Sequence, residues 1–304
     1  MNRFIHRLLF LCCLVATDVA CAQDLSSALV PGNKHVKAEI VIDSAVLQPG
    51  ASSERPVARL GIKFSIEKGW HIYWKNSGDS GTPTKISWHL PDGWRTGDLR
   101  WPVPRQIEEE GGITTFGYTD EVLLITELFT PSVETGSGHL VPISADISFL
   151  VCDEQCFPGR LTASGTFSFS VEAPLEPSKD FTLFSKYDAL TPKPISVLQN
   201  LERTKHVTVT PMLSQKSLAP GTKAELGLYV SNLYTPQRND TPTLLQVFPV
   251  NNPTIKIGLA QISLLHTSQC GLTGCFDYLI PLPLEVFQSA SLGETSLRGI
   301  LVFA

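Results

Sequence analysis

The hydrophobic positions of this chain alternate with polar ones at a period of two over many short segments. Apolar residues alternate from Ile143 to Phe149 and again from Leu161 to Phe169. This period is typical of half-buried β-strands. Glycine and proline number 22 each and are spread along the sequence, so turns separate the apolar runs. The pattern therefore predicts an all-β protein made of short antiparallel strands.

Strands are predicted in both halves of the chain. In the first half they cover 36–42, 57–66, 70–74, 86–90 and 122–129, and in the second 207–210, 223–230, 244–248, 255–265, 278–286 and 299–303. Residues 106–116 are polar, acidic and glycine-containing, so we expect a loop there. One short amphipathic helix is predicted after Ser178, a candidate helix cap, because Phe181, Phe184, Tyr187 and Leu190 recur at helical spacing.

The length of 304 residues suits two domains. We expect a signal peptide over 1–22, a first β-sandwich over 23–173, a linker with the short helix over 174–199, and a second sandwich over 200–304. Both halves contain alternation, a cysteine pair and a Cys-Phe step, at Cys156 and Cys275. The second sandwich is therefore interpreted as a degenerate copy of the first.

The amino terminus has the pattern of a secretory signal. Arg3 and Arg7 precede a short apolar run, and Ala20-Cys21-Ala22 fits a small-x-small cleavage site that would leave Gln23 first. A lipoprotein with Cys21 acylated is the alternative, although Asp18 stands where such a site favours an aliphatic residue. No later apolar run is long enough to span a membrane. We therefore expect a soluble periplasmic protein.

Cysteine usage and charge agree with this compartment. Three of the seven cysteines fall within the signal, and the remaining four form two local pairs, Cys152 with Cys156 and Cys270 with Cys275. An even number in local pairs is typical of an oxidising compartment. The formal net charge of −5 argues against nucleic acid or an anionic membrane as a partner. Phosphate-loop, dinucleotide, serine-elbow and zinc-protease motifs are missing from the sequence, and no cofactor is predicted.

Cys152 and Cys156 are separated by three residues at the bend of a predicted hairpin. Cross-strand neighbours lie close enough for a disulfide after a small adjustment. By the chain-entropy model so small a ring contributes about 2 kcal/mol, about 1 kcal/mol less than a fifteen-residue ring, or about 20 mV in potential. The residues alone leave a structural bond and a redox pair both open. Asp153 and Glu154 disfavour a thiolate, so the pair suits attack by a partner's thiolate.

The second pair, Cys270 and Cys275, lies in a segment with Gly271 and Gly274, which suits a tight loop. A structural disulfide is the favoured interpretation, and a second redox pair is the next. A copper or zinc site that uses His266 with both cysteines is a third possibility, but nothing in the sequence supplies a fourth ligand. We therefore predict no metal site.

Several motifs in order resemble one known family. They are Gly69 to Asn76, Gly78 to Gly81, Trp101 to Pro104, Phe116 to Tyr118, and Val151-Cys152 with Cys156-Phe157-Pro158-Gly159. Together they are similar to the N-terminal periplasmic domain of DsbD-type thiol:disulfide interchange proteins, in particular the ScsB-like branch linked to copper tolerance. The likeness covers residues 35–172 well and 200–304 loosely.

The resemblance implies an immunoglobulin-like domain in which Cys152 and Cys156 form the redox pair. It implies that the segment Glu108 to Thr115, which includes Glu109, shields the pair as a mobile cap. We expect Ile113 or Phe116 to pack on the disulfide.

His71 and Tyr73 fall where aromatic residues flank the family's pair. The spacing of the cysteines here is shorter than in the best-known member.

The family's electron path sets the expected partners. A membrane electron conduit would supply electrons, and because the sequence ends at Ala304 we expect that conduit to act in trans. The acceptors would be periplasmic thioredoxin-like or disulfide-bonded proteins. The sequence leaves open whether the chain is itself a protein-disulfide reductase. The alternative function is a non-catalytic periplasmic binding or scaffold protein with structural disulfides, possibly in copper handling.

Overall fold

The computed structural model describes most of the first half of the chain and parts of the second. The described residues are 30–50, 54–131, 138–174, 176–193, 208–214, 218–235, 245–250, 252, 254–258, 263–270, 273–287 and 299–303. The predicted signal peptide lies outside them. The chain divides into two compact units, Met1–Ala189 and Leu190–Ala304. No helix in the described residues is long and apolar enough to cross a membrane.

The first unit is an immunoglobulin-like sandwich of two antiparallel sheets. Its ten strands are β1 Val36–Ile42, β2 Ala58–Ile66, β3 His71–Gly78, β4 Lys85–His89, β5 Arg95–Thr96, β6 Arg105–Glu109, β7 Ile113–Thr119, β8 Glu121–Phe129, β9 His139–Cys152 and β10 Cys156–Phe169. One sheet has the order β1-β2-β8-β5, and the other has the order β10-β9-β3-β7-β6 with β4 also paired to β9. The predicted all-β class is confirmed.

The core of the first unit follows the alternation in the sequence. The inward-facing residues of β2 and β9 are buried, and four of them are at most 2 % exposed: Leu60, Ile62, Ile143 and Ile147. Their partners on the opposite faces of the strands are more exposed, as the period-two pattern requires. Burying each large aliphatic side chain contributes about 1.5–3 kcal/mol. The sandwich core therefore supplies the rigid frame from which the strand ends project.

The predicted helix forms as α1, Phe181–Leu190. The Ser178 hydroxyl accepts a hydrogen bond from the Asp180 amide at 3.0 Å, as a helix cap does. Phe184 and Tyr187 are buried, and the Tyr187 hydroxyl donates to the Glu121 carbonyl at 2.9 Å. The helix therefore packs on the first unit.

Polar contacts also attach α1 to the first unit. Asp188 in the helix forms ion pairs with Arg59 of β2 and with Arg100, the latter at 2.7 Å. A single helix residue thus binds two cations of the sandwich. The domain boundaries derived from the sequence, with the helix in a linker over 174–199, stay a prediction.

The segment 106–116, expected as a loop, is instead a β-hairpin. Strands β6 and β7 pair from Arg105 opposite Gly117 to Glu109 opposite Ile113. Gly111 and Gly112 both have positive φ, at 82° and 75°, a region that only glycine enters readily. The acidic composition of this segment is typical of a loop, so the pairing of β6 with β7 was not predicted. The charged side chains are tolerated because β6 is an edge strand, where water still reaches them.

The second unit is also built from antiparallel strands. They are β11 Thr208–Leu213, β12 Lys223–Thr235, β13 Leu245–Pro249, β14 Ile255–Ile257, β15 Ser263–Cys270, β16 Thr273–Val286 and β17 Gly299–Phe303. One sheet has the order β11-β12-β16-β14 with β15 paired to β16, and β13 pairs with β17. Val230, Val247, Ile280 and Leu282 form a buried cluster between them.

Candidate redox site

The site is built on the turn between the two longest strands of the first unit. Strands β9 and β10 run antiparallel with Cys152 directly opposite Cys156, and the two cysteines form a disulfide with a Cα–Cα distance of 4.2 Å. The turn holds itself in place, because the Asp153 carboxylate accepts the Gln155 amide at 2.9 Å. The predicted position of the pair at a hairpin bend is therefore what the structure has.

The two sulfur-bearing residues differ in their access to water. Cys152 is 0 % exposed, whereas Cys156 and the three turn residues before it are exposed. Cys152 is covered because it also lies next to His71 of β3, the strand on its other side. A reactant in solution can therefore approach the bond from the Cys156 side.

Three side chains converge on the buried side of the disulfide. The Tyr73 hydroxyl lies 3.0 Å from Cys152 Sγ and 3.8 Å from Cys156 Sγ. Glu109 Oε1 lies 3.4 Å from the same hydroxyl and 3.4 Å from His71 Nε2. His71 and Tyr73 are two residues apart on one strand and therefore share a face. The structure thus brings together His71, Tyr73 and Glu109 around the cysteine pair.

Burial shifts the protonation of two of these groups. Burial lowers the pKa of His71, although Glu109 and Asp153 oppose the shift. Burial and the neighbouring Glu109 raise the pKa of the Tyr73 hydroxyl well above its usual value. At neutral pH the site therefore contains a neutral imidazole and a protonated phenol.

The remaining residues of the predicted cap lie farther from the sulfurs. Glu108 accepts a hydrogen bond from the Thr114 hydroxyl at 3.2 Å, and Ile113 is 37 % exposed. Phe116 is 1 % exposed and its ring meets that of Trp74 edge-on at 6.4 Å. Glu109 is the cap residue that contacts His71 and Tyr73, the side chains beside the disulfide. The shielding role of the segment stays a prediction.

An aromatic cluster beside Cys156 was not identified from the sequence. His35 stacks on Trp70 with ring centroids 3.5 Å apart, and Phe157 lies 5.9 Å from Trp70. His35 Nδ1 also contacts Glu67 Oε2 at 2.6 Å. In sequence, Phe157 is the one member of this cluster next to Cys156. His35 is far from Cys156 in sequence, so its position beside the pair could not be predicted.

The second cysteine pair differs in backbone register. In the β15–β16 hairpin Cys270 lies opposite Thr273, and Cys275 lies opposite Ser268. The side chains of Cys270, Cys275 and His266 lie outside the described residues, so the predicted disulfide and the metal alternative stay untested. Within the described residues no group of three or more histidine, cysteine or acidic side chains could hold a metal ion.

The first unit is thus an immunoglobulin-like sandwich with a hairpin disulfide that is reached by solvent at Cys156. Residues 39–166 match the family model for the N-terminal domain of the thiol:disulfide interchange protein DsbD, and this confirms the family resemblance of the first unit. The N-terminal periplasmic domain of ScsB from Proteus mirabilis has a similar fold, with a TM-score of 0.52, 15 % identity and 90 % of each chain covered. No curated protein matches the sequence.

Proposed function

We propose that the first unit carries reducing equivalents in the periplasm by exchanging its Cys152–Cys156 disulfide with the thiols of partner proteins. The observation that carries this proposal is the asymmetry of the bond, with Cys156 exposed and Cys152 fully buried. A bond meant only to staple the hairpin has no need of an accessible sulfur. An exchange module needs one sulfur in reach of a partner and one protected from it.

The exchange begins at Cys156. A partner thiolate attacks Cys156 Sγ, a partner–Cys156 disulfide forms, and the electron pair of the broken bond goes to Cys152 Sγ. A second thiol of the partner then attacks its own sulfur in the mixed disulfide. The partner leaves oxidised, and the Cys152–Cys156 pair is left reduced by two electrons. The reverse sequence passes these electrons to an acceptor disulfide.

The charges around the pair favour this direction of attack. Asp153 and Glu154 are exposed beside Cys156, and Glu109 lies on the buried side. Negative charge disfavours a thiolate on either cysteine. The reduced pair is therefore a weaker nucleophile than an isolated thiol, which limits loss of electrons to unrelated oxidants.

The resemblance to the family supports a proposal for the partners and the location. The proposed electron donor is a membrane-embedded conduit, and the proposed acceptors are periplasmic thioredoxin-like or disulfide-bonded proteins. Secretion uses the signal over 1–22, with cleavage before Gln23. The redox sandwich spans 23–173, and a second, degenerate sandwich over 200–304 carries a disulfide that exchanges less readily.

The reduction potential of the Cys152–Cys156 pair tests the proposal. The mature chain is equilibrated with glutathione buffers, and the fraction reduced is read by alkylation of free thiols. We expect a potential above about −300 mV, the region below which structural disulfides fall. A lower potential would favour the scaffold function with structural disulfides instead.

Trapping separates the two cysteines. In a Cys152→Ser variant the remaining Cys156 thiol can attack a partner disulfide, but no second thiol resolves the product. We expect stable mixed disulfides with thioredoxin-like proteins for this variant. The matched Cys156→Ser variant should trap little, because Cys152 is buried. Equal trapping by both would contradict the assignment of Cys156.

A further inference from the structure

The Tyr73 side chain has an unusual position for a buried tyrosine. The residue is 0 % exposed, and its hydroxyl ends 3.0 Å from Cys152 Sγ. A buried phenol normally donates to an oxygen. The nearest such oxygen, Glu109 Oε1, is farther away at 3.4 Å, and the Thr115 hydroxyl already donates to it at 3.0 Å. The hydroxyl therefore contacts both the Glu109 carboxylate and Cys152 Sγ, and the sulfur is the nearer of the two.

A glycine determines where that ring lies. A Cβ built on Gly81 would stand 2.2 Å, 2.3 Å and 2.6 Å from three carbons of the Tyr73 ring. The ring thus rests directly on the Gly81 backbone, which has a φ of +89°. The Ser77 hydroxyl donates to the Gly81 carbonyl at 3.1 Å and Thr84 donates to the Tyr73 carbonyl at 3.3 Å. These two bonds attach the loop to the strand that carries Tyr73.

We propose that Tyr73 is a catalytic residue of the exchange, whose hydroxyl stabilises the thiolate that leaves as Cys152, and that Gly81 is the positioning residue for its ring. The inference rests on the proposed function and adds a role for the Gly78-to-Gly81 motif, which that function does not use. In the attack step the new bond joins the partner sulfur to Cys156, and the electron pair moves to Cys152 Sγ. Tyr73 donates a hydrogen bond and keeps its proton.

The buried position of Cys152 explains why a donor is needed there. A thiolate formed at a fully buried sulfur has no water to solvate it, and an unpaired buried anion is strongly disfavoured. The neighbouring Glu109 carboxylate makes the anion still less favourable. His71 is neutral at neutral pH, since burial lowers its pKa. Because the pKa of Tyr73 is raised, the phenol stays protonated and remains a donor at any pH where partner thiolates attack.

The test measures how fast dithiothreitol reduces the disulfide in the mature chain. Tyr73→Phe keeps the ring and removes only the donor. A hydrogen bond to a charged group is strong enough to change a rate by about tenfold or more, so we expect Tyr73→Phe to be slower by about that factor. Gly81→Ala should also be slow, because its methyl group displaces the ring.

Gly69→Ala is the matched control. Gly69 has nearly the same φ, +90°, and no atom lies within 4 Å of a Cβ built there, so both alanine variants bear the same backbone strain. We expect Gly69→Ala to be reduced at the parent rate. The Tyr73→Phe/Gly81→Ala double variant should be no slower than the slower single variant, since Gly81 acts through the hydroxyl.

Two results would overturn the inference. A folded Tyr73→Phe variant reduced as fast as the parent would show that the hydroxyl does not assist. Equal rates for Gly81→Ala and Gly69→Ala would remove the positioning role. If the parent disulfide itself resists dithiothreitol, the proposed function fails and this inference fails with it. A reactive parent with unaffected variants refutes the inference alone.

Discussion

Each unit of this protein carries a β-hairpin with two cysteines near its turn, but the two hairpins place those cysteines differently. In the first, Cys152 and Cys156 are direct partners across the ladder. In the second, Cys270 and Cys275 are each paired with another residue, Thr273 and Ser268. Directly opposed positions are close enough to bond after a small adjustment, whereas diagonal positions are about 7–8 Å apart.

The comparison shows how one residue of spacing changes the chemistry available to a hairpin. With three intervening residues the two cysteines are direct backbone partners, whereas with four the backbone register sets each cysteine opposite another residue. The surroundings differ as well, since the first pair is backed by Tyr73 and Glu109. We therefore expect exchange to be faster at the first hairpin than at the second.

The largest effect should come from removing cysteines in each hairpin. We expect Cys152→Ser and Cys156→Ser each to abolish reversible exchange with glutathione, because no disulfide can re-form within the hairpin. The Cys270→Ser/Cys275→Ser double variant should exchange like the parent. Thiol alkylation followed by mass spectrometry reads both outcomes. Loss of exchange in the double variant would break the comparison.

The same mapping tests the predicted bond in the second hairpin. We retain the prediction that Cys270 and Cys275 bond to each other and that this bond exchanges less readily than the first. Its formation would require the backbone register of the hairpin to adjust. Two free thiols in the oxidised protein, or a crosslink from Cys152 to Cys270, would contradict the prediction.

The next largest effect concerns the packing behind the first hairpin. Phe116 is 1 % exposed and contacts Trp74, so Phe116→Ala should lower the free energy of unfolding by about 3–5 kcal/mol. Ile113 lies on the same strand, β7, but is 37 % exposed, so it provides the control. Ile113→Ala should change stability by less than about 1 kcal/mol. Urea denaturation of both variants provides the measurement, and similar losses would show that this hairpin packs uniformly.

Much of this architecture was predictable because its causes are local. The sequence shows the alternation in β9 and β10 and the Cys-x-x-x-Cys spacing. These two features predicted the hairpin and placed the two cysteines at its bend, close enough to form a disulfide. Phe184 and Tyr187 likewise marked the buried face of α1. Local periodicity reports burial directly, so such elements need no knowledge of distant contacts.

The contacts that shape the site were not predictable from periodicity, and only the family resemblance named His71, Tyr73 and Glu109 as neighbours of the pair. Glu109 reaches His71 and Tyr73 only after β6 pairs with β7 and β7 with β3. The Gly81 contact with Tyr73 depends on how a loop folds back on its strand. His35, which precedes β1, stacks on Trp70, which precedes β3. Contacts between separate segments leave no periodic pattern in the sequence. The segment 106–116 was therefore interpreted from its composition alone, as a loop.

A smaller effect is expected for the predicted cap. If the segment Glu108 to Thr115 limits access to the disulfide, Ile113→Gly should speed reduction by dithiothreitol by a few-fold, since displacing a few apolar contacts costs about 1–3 kcal/mol. The fold should be retained, as Ile113 is partly exposed. Stopped-flow reduction measures the rate. An unchanged rate for Ile113→Gly would show that Glu109 and Tyr73, rather than the cap's apolar side chain, govern access.

The smallest predicted effect is on the pH dependence of stability. It tests how completely water is excluded from the buried side of the first hairpin. Burial lowers the pKa of His71 below its usual 6.5. Between the folded and unfolded pKa values the unfolded chain therefore binds a proton that the folded chain does not. Stability should fall as pH decreases from 6.5 through this window, and level off below the folded pKa.

Replacing His71 removes that contribution. A His71→Gln variant should lose less stability than the parent between about pH 7.5 and pH 5, measured by urea denaturation with the disulfide intact. His139, which is exposed, provides the control, because His139→Gln should keep the parent's dependence. Equal pH dependence in the parent and His71→Gln would mean that water or the Glu109 carboxylate already compensates the imidazole. The buried side of the first disulfide would then be wetter than its burial implies, and the contrast with the second hairpin would rest on register alone.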